Sequence, residues 1–255
     1  MIDLHVHILP GLDDGAEDLS EALEMAELAC ESGVKRLVAT PHSNQEGRFE
    51  NYYTDSLWQV YTEFCREVRK ERIPLQVDLG MEIFTSEDMQ QKVLQRRLIG
   101  LNSTPVYLVE FPFEAEGEWM GEQLSSLLKI YKKPLIAHPE RYACVQEFPE
   151  FAYEWLQMGC LTQLNRGSAL GRFGKKAKRA AEDLLENNLV TCIASDAHGS
   201  CIRTTYMEDI WNYLEQTYGE DTAYRLMQEN PQNILERRPI PAHGNMPERK
   251  RRFFW

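Results

Sequence analysis

Two closely spaced pairs of polar residues are well suited to binding a metal ion. His5 and His7 lie in the apolar stretch MIDLHVH, and Asp196 and His198 lie in IASDAHG with the same spacing. Residues two apart on a strand point to the same face, so each pair can direct both side chains to one point. Imidazole and carboxylate ligands without thiolate are typical of zinc, manganese or iron sites. The pairs therefore predict a metal site.

Four further candidate ligands accompany other apolar runs. His42 follows the run in LVATPH, Glu82 and Glu110 end the runs in GMEIF and LVEFP, and His138 ends PLIAH. A single histidine of this kind is more often a hydrogen-bonded core residue than a ligand. Five of the six histidines fall at corresponding positions, however, which favours one shared site.

The apolar runs themselves predict the architecture that brings these residues together. They alternate with amphipathic stretches of helical period up to about residue 236, which is typical of repeated β-α units and a parallel sheet. Seven runs are present: MIDLHVH, KRLVATP, PLQVDLGMEI, PVYLVEF, PLIAHP, CLTQLN and LVTCIAS. Because the carboxyl ends of parallel barrel strands form one rim, where active sites are assembled, a closed or nearly closed barrel would gather all the candidates.

Composition and charge limit the domain organisation and the class of partner. With 43% hydrophobic residues and no internal repeat or linker, residues 1–236 are predicted to form one domain. Residues 237–255 are Pro-rich, then basic, then aromatic, and are interpreted as an extension docked on the surface or disordered; His243 within it is not expected to be a ligand. The net charge of -12 disfavours nucleic acid and anionic membranes as partners.

The sequence also indicates a compartment. The first basic residue is Lys35, and no apolar run approaches the length needed to cross a bilayer, so neither a secretory signal nor membrane insertion is expected. The six cysteines form no CxxC pair, which argues against a disulfide framework or a zinc ribbon. A cytoplasmic protein is the resulting expectation.

The order of these motifs resembles the polymerase-and-histidinol-phosphatase (PHP) superfamily. More narrowly, MIDLHVHILPGLDDGAED, LVATPH, HPERY, QLNRGS and VTCIASDAHG resemble the bacterial manganese-dependent protein-tyrosine phosphatases associated with capsule and exopolysaccharide synthesis. The resemblance extends over roughly residues 1–236. It implies an α/β fold, namely a distorted TIM-like (β/α)7 barrel, and a cytoplasmic, metal-dependent phosphoric monoester hydrolase.

The resemblance also implies three divalent metal ions, with Mn²⁺ expected and Fe or Zn as alternatives. The implied ligands are His5, His7, Glu82 and Asp196 for the first ion, Glu82, Glu110 and His138 for the second, and Asp14, His42 and His198 for the third. Asp13 is the alternative to Asp14, with a role in the loop or behind the ligands. Asp3 is interpreted as orienting a histidine rather than binding metal.

The chemistry of this ligand set gives an expected mechanism. Two ions sharing Glu82 would lower the pKa of a bridging water, and the resulting hydroxide is the expected nucleophile. Arg141 in HPER and Arg203 in SCIR are expected to bind the phosphate, because guanidinium can donate two parallel hydrogen bonds to it. Arg166 is a weaker candidate for that role. No general acid is evident, and a tyrosyl leaving group needs less proton donation than an alkyl one.

A cysteine mechanism is disfavoured, although a Cx5R pattern begins at Cys30 and again at Cys160. Cysteine phosphatases need a strand, a phosphate-binding loop and then a helix. The sequence instead predicts that Cys30 ends a helix and that Cys160 begins a strand. In an extended strand the arginine of the second pattern would lie ~20 Å from its cysteine.

Several functional alternatives stay open at this stage. Histidinol-phosphate phosphatase shares nearly the same ligand set, and a metal-dependent regulator could bind a phosphorylated partner without hydrolysing it. The polymerase-associated exonuclease relatives are disfavoured by the acidic charge. The resemblance implies a phosphotyrosine protein as substrate, with a cognate bacterial tyrosine kinase as the expected partner. The sequence does not determine the oligomeric state, and an oligomer is one of the alternatives.

Overall fold

The strands of the structure, a computed structural model that describes residues 1–240 and 244–247, follow all seven predicted runs. The nine strands of the described residues are β1 (Ile2–Val6), β2 (Arg36–Ala39), β3 (His42–Ser43), β4 (Gln76–Leu79), β5 (Glu82–Phe84), β6 (Val106–Glu110), β7 (Lys133–Ala137), β8 (Leu161–Asn165) and β9 (Cys192–Ala194). The third run forms two strands, and the short strand β3 directly follows the second run. Every pairing between these strands is parallel.

The strands close into a barrel. One sheet has the order β1-β2-β4 and the other β3-β5-β6-β7-β8-β9. The ring closes where Val6 forms a parallel bridge to Ala197, with the His7 amide donating to the Ala197 carbonyl at 2.9 Å and the Asp196 amide to the His5 carbonyl at 3.0 Å. The predicted architecture, a distorted (β/α)7 barrel, is therefore confirmed.

Helices surround the barrel. The described helices are α1 (Leu19–Glu31), α2 (Asp55–Lys70), α3 (Met89–Leu94), α4 (Gly117–Lys129), α5 (Ala143–Glu147), α6 (Glu150–Met158), α7 (Arg166–Ala169), α8 (Gly174–Glu186), α9 (Glu208–Tyr218), α10 (Glu220–Tyr224) and α11 (Asn230–Leu235). Asp18 and Thr54 cap the first two by accepting backbone N–H groups with their side chains. Within the described ranges, no helix is long and apolar enough to cross a membrane.

Two hydrophobic cores leave one end of the barrel for polar chemistry. The larger core includes residues of the outer helices such as Met25 and Phe64. A smaller cluster runs from the amino end of β1, at Ile2 and Leu4, to Ile234 and Leu235 of α11. Because apolar side chains occupy the amino-terminal end, the buried histidines and carboxylates collect at the carboxyl-terminal end.

The short strands β3 and β5 change the position of two predicted ligands. Glu82 was expected to end its strand and His42 to follow one, but Glu82 begins β5 and His42 begins β3. The third run breaks at Gly80, where a Cβ atom would lie 2.7 Å from the Leu101 side chain. As a result, His42 and Glu82 are direct neighbours in the register of β3 and β5.

The C-terminal extension is described only in part. The Asn245 amide donates to the Asn187 carbonyl at 2.9 Å, and Pro247 is buried. His243 and the basic, aromatic residues 248–255 lie outside the described residues. The interpretation of residues 237–255 as a separate extension stays a prediction.

Candidate metal centre

Four predicted ligands form the buried centre of the site. The Nε2 atoms of His5 and His7 lie 3.1 Å apart, and each lies 3.2 Å from Oε2 of Glu82. Oδ1 of Asp196 lies 3.5 Å from the first nitrogen and 3.6 Å from the second. All four residues are buried. The side chains of His5, His7, Glu82 and Asp196 thus lie together, as the sequence predicts, although Glu82 begins its strand.

His5, His7 and Asp196 fit a metal ion, because their ligand atoms all lie within 4.8 Å of one another. Imidazole nitrogen and carboxylate oxygen bind a transition-metal ion at about 2.0–2.2 Å. Oε2 of Glu82 is buried and accepts no hydrogen bond of good angle from any described residue, although ring nitrogens of three histidines lie within 3.2 Å of it. Three imidazole nitrogens close to one carboxylate oxygen form a mixed nitrogen and oxygen donor set of the kind that binds a transition-metal ion once the imidazoles lose their protons.

The other carboxylate oxygen of Glu82 faces a second group. Nε2 of His138 lies 3.1 Å from Oε1 of Glu82 and 3.7 Å from Oε1 of Glu110. His138 follows β7 in a left-handed backbone conformation with φ of 37°. Such a conformation costs a non-glycine residue energy and is often found at functional sites. Glu82 therefore stands between two groups of ligands, as a bridging carboxylate must.

Asp14 and two histidines form a third group nearer to solvent. Oδ1 of Asp14 lies 3.4 Å from Nε2 of His42 and 3.5 Å from Nε2 of His198. His7 also approaches this group. His42 was predicted to belong to this group alone, but it also adjoins the first group, because its Nδ1 lies 2.9 Å from Oε2 of Glu82. The three predicted groups are thus brought together, with His7 and His42 each adjoining a second group.

Hydrogen bonds behind the ligands fix the orientation of two rings. Oδ2 of Asp13 lies 2.7 Å from Nδ1 of His7 and also accepts the His42 amide at 2.7 Å, so Asp13 supports ligands while Asp14 faces the site. Gln163 was missed by sequence reasoning, yet its Oε1 lies 2.8 Å from Nδ1 of His5. Each contact makes the Nδ1 atom the donor and leaves Nε2 free to bind metal.

Asp3 has a different role from the one expected. Its Oδ1 accepts the backbone amides of His5 at 3.3 Å and Ser195 at 3.1 Å, rather than touching an imidazole ring. It thereby ties the main chain of β1 to the end of β9. For Gln163, a sequence signal did exist. It lies two residues before Asn165 on β8, so both side chains point to the same face of the strand.

The protonation of the site follows from burial and close carboxylates. Burial alone lowers the pKa of His5 and His42, but nearby carboxylates, Glu82 foremost, outweigh it and raise their pKa values to about 9 and about 10. Burial raises the pKa of Glu110 to about 8, and the Glu82 charge adds to this. Burial lowers the pKa of His138 to about 4. His5 and His42 must therefore release protons when their nitrogens bind metal.

The groups open into one cavity of about 280 Å³. Seven of the nine predicted ligands line it, while His5 and His7 lie buried below. Arg141 and Arg203 line the same cavity, and their guanidinium groups lie 3.5 and 2.6 Å from Oδ2 of Asp196. Both predicted phosphate ligands therefore face the candidate metal centre.

The remaining candidates lie elsewhere. Arg166 is buried, and its guanidinium is fully engaged with Asp209 and the Thr204 carbonyl, so the idea that it binds phosphate is not supported. Cys30 lies near the end of α1. Cys160 is buried at the amino-terminal end of β8, opposite the site, and burial raises its pKa to about 12. Neither thiol can serve a substrate in this cavity.

Comparison with known proteins identifies the family. The profile described as capsular polysaccharide synthesis, CpsB/CapC, matches residues 1–236. The chain belongs to the CpsB/CapC family. Tyrosine-protein phosphatase YwqE of Bacillus subtilis (strain 168) is 35% identical over 255 residues, covering 100% of this chain and 99% of the relative. Tyrosine-protein phosphatase CpsB of Streptococcus agalactiae is 32% identical over 241 residues, covering 92% and 98%.

Solved structures agree with this CpsB/CapC assignment. One crystal structure matches with a TM-score of 0.91 at 34% identity, covering 98% of this chain and 100% of that one. It belongs to a set of crystal structures of YwqE from Bacillus subtilis and CpsB from Streptococcus pneumoniae, which are described as unique metal-dependent tyrosine phosphatases. The phosphotriesterase homology protein of Escherichia coli matches with a TM-score of 0.61 at 11% identity, covering 92% and 98%. The latter likeness concerns the fold alone.

Proposed function

We propose that this protein is a metal-dependent protein-tyrosine phosphatase that hydrolyses phosphotyrosine on a protein substrate and so regulates capsule or exopolysaccharide synthesis. The observation that carries the proposal is a single cavity with converging histidine and carboxylate ligands at its base and two arginines on its wall. That combination suits a phosphate ester, whose charge needs both kinds of cation. The names of the CpsB/CapC relatives support phosphotyrosine as the phosphoryl donor.

The donor set fits three divalent ions, and we infer that Mn²⁺ is the physiological one. His5, His7 and Asp196 would hold the first with Glu82, and Glu110 and His138 the second with Glu82. Asp14, His42 and His198 would hold the third. When bound, such ions supply Lewis-acid stabilisation of phosphate oxygens and an activated water for attack on phosphorus.

The arginines would orient and neutralise the phosphate. Both guanidinium groups are drawn toward Oδ2 of Asp196, the oxygen that faces away from His5 and His7. The phosphate of a bound substrate offers stronger acceptors than a carboxylate oxygen already shared by several donors. Arg141 also lies 4.5 Å from the centre of the Phe113 ring, which is partly exposed at the cavity. Phe113 thereby offers an apolar surface beside the phosphate position for a tyrosyl ring.

Departure of the tyrosyl oxygen needs little help from the protein. A phenolic leaving group has a pKa near ~10, so it leaves with less proton donation than an alkyl alcohol. No residue of the described cavity is assigned as a general acid. The substrate protein that fits this chemistry is a cognate bacterial tyrosine kinase with phosphorylated tyrosines, which we propose as the partner.

The decisive test compares two substrates. We expect kcat/KM for a phosphotyrosyl peptide to exceed that for histidinol phosphate by a large factor in added Mn²⁺, and both activities to disappear after chelation. A preference for histidinol phosphate would overturn the substrate while keeping the metal chemistry. Binding of the phosphopeptide without hydrolysis in the presence of Mn²⁺ would indicate a regulator instead of an enzyme.

A further inference from the structure

The NRGS segment, Asn165–Ser168, begins with the last residue of β8 and continues into α7, and none of its residues lines the described cavity. Its residues nevertheless contact several groups that hold Arg141 and Arg203. We propose that this segment, acting through Arg166 and Phe173, positions the two arginines for phosphate binding. The inference rests on the proposed function, because it assumes that both arginines bind the substrate's phosphate.

Arg166 fixes the chain beside Arg203. Its Nε and Nη2 atoms donate to Oδ1 and Oδ2 of Asp209 at 2.7 and 2.6 Å, and its Nη1 donates to the Thr204 carbonyl at 3.0 Å. The side chain is only 4% exposed. A planar guanidinium with three engaged nitrogens holds its partners in a fixed geometry that an ammonium group cannot reproduce. Thr204 directly follows Arg203, so the bond from Arg166 to the Thr204 carbonyl fixes the backbone next to the expected phosphate-binding residue.

Arg203 needs such support because its backbone is strained. Its φ is 51°, in the left-handed region that non-glycine residues rarely adopt. Its carbonyl accepts the His198 amide at 2.8 Å, which folds the segment back toward the candidate metal centre. The Arg166 bond to the next carbonyl opposes relaxation of this conformation. A strained conformation persists only where surrounding contacts hold it, and these hydrogen bonds hold Arg203.

Phe173 provides the second link, and Gly167 makes room for it. A Cβ atom at Gly167 would lie 2.5 Å from the Phe173 ring, so the ring packs directly on the backbone of the segment. The ring centre lies 4.6 Å from the guanidinium carbon of Arg141 and 5.7 Å from that of Arg203. Both distances are within the range of cation–π attraction. One aromatic ring therefore orders both guanidinium groups.

Asn165 provides the third link, through the carboxylate of Asp196. Its Nδ2 donates to Oδ2 of Asp196, the oxygen that also attracts Arg203 and Arg141. The segment thus touches the carboxylate, the backbone next to Arg203 and the ring between the two arginines. These three contacts explain why the QLNRGS motif accompanies the ligand motifs although it supplies no ligand itself.

The test measures binding of inorganic phosphate as a competitive inhibitor of the Mn²⁺-loaded full-length enzyme. We expect Arg166→Lys and Phe173→Leu each to raise the inhibition constant about tenfold, with unchanged metal content. If Arg166 acts through Arg203, the effect of Arg166→Lys disappears in an Arg203→Ala background. Phe173→Leu should likewise lose its effect when both arginines are replaced by alanine. A purely structural role would not produce this dependence.

Arg36→Lys is the matched control. Arg36 pairs with Asp78 at 2.5 Å between β2 and β4, and neither residue lines the cavity. It should leave phosphate inhibition unchanged. Equal effects of Arg166→Lys with and without Arg203 would overturn the positioning role while leaving the proposed function intact. If Arg203→Ala and Arg141→Ala do not weaken phosphate binding, the phosphate-binding assignment in the proposed function fails first, and this inference fails with it.

Discussion

Replacing Glu82 with glutamine tests the metal assignment at its most connected residue. Oε2 of Glu82 lies 2.9 Å from Nδ1 of His42 and 3.2 Å from the Nε2 atoms of His5 and His7. Oε1 lies 3.1 Å from Nε2 of His138. Glu82→Gln keeps the shape of the side chain but removes its charge and places an amide group among these nitrogens. The variant should therefore lose both shared ligation and charge compensation.

The size of the loss follows from electrostatics. A carboxylate and a positive charge about 4 Å apart attract each other by roughly 4 kcal/mol at an effective dielectric constant of about 20. If that attraction acts fully in the transition state, its removal lowers kcat/KM by about a thousandfold. The carboxylate serves more than one group of ligands, so a thousandfold is the smallest decrease that we expect. Folding should survive, because glutamine has nearly the same size and shape as glutamate and leaves the apolar packing of the barrel unchanged.

The assay combines turnover of a phosphotyrosyl peptide, metal content by elemental analysis and thermal unfolding. Asp78→Asn is the control, because it is also an isosteric amide substitution of a buried carboxylate and it lies outside the cavity, paired with Arg36. It should reduce stability without reducing kcat or metal content. Near-normal turnover by Glu82→Gln would refute the assignment of Glu82 as the bridging ligand.

Three further outcomes follow from the same site. Metal binding should release protons at pH 7, because the raised pKa values of His5, His42 and Glu110, about 9, about 10 and about 8, keep these ligands protonated in the metal-free protein. The observed affinity should therefore rise with pH near neutrality by up to about tenfold per pH unit for each proton released. Calorimetry in two buffers that shows no proton release would contradict this. His138→Ala should abolish phosphatase activity while the far-ultraviolet circular dichroism spectrum stays native, since its Nε2 contacts Glu82. Cys30→Ser and Cys160→Ser should keep near-normal turnover, and inactivity with full metal content in either variant would restore the thiol mechanism.

The sequence predicts the fold well because the chemistry repeats. Most of the seven predicted runs are nearly continuously apolar, and polar residues lie at or just after their carboxyl ends, so the repeats specify both the barrel and its functional rim. His5, His7 and Asp196 could be expected to meet on this ground alone. The grouping of the ligands came from resemblance to a family, because spacing along the chain does not determine which oxygen of Glu82 faces which histidine.

Other features depended on contacts that a linear pattern does not contain. Gln163 supports His5 from β8, which lies far away in sequence. Arg166 looked like a phosphate ligand because it follows a strand, but Asp209 from α9 neutralises it. The breaks that place His42 and Glu82 at strand starts depend on close packing, such as that of Leu101 against Gly80. Tertiary partners decided each of these cases.

The parallel bridge between Val6 and Ala197 has a consequence for the time at which the site can exist during synthesis. His5 is made 191 residues before Asp196, and the two meet only when the last barrel strand pairs with the first. At elongation rates of about 5–20 residues per second, the N-terminal histidines wait roughly 10–40 s on the ribosome for their carboxylate. A nascent chain can therefore neither assemble the first ligand group nor hydrolyse phosphotyrosine before the barrel closes, and activity begins only with a completed fold.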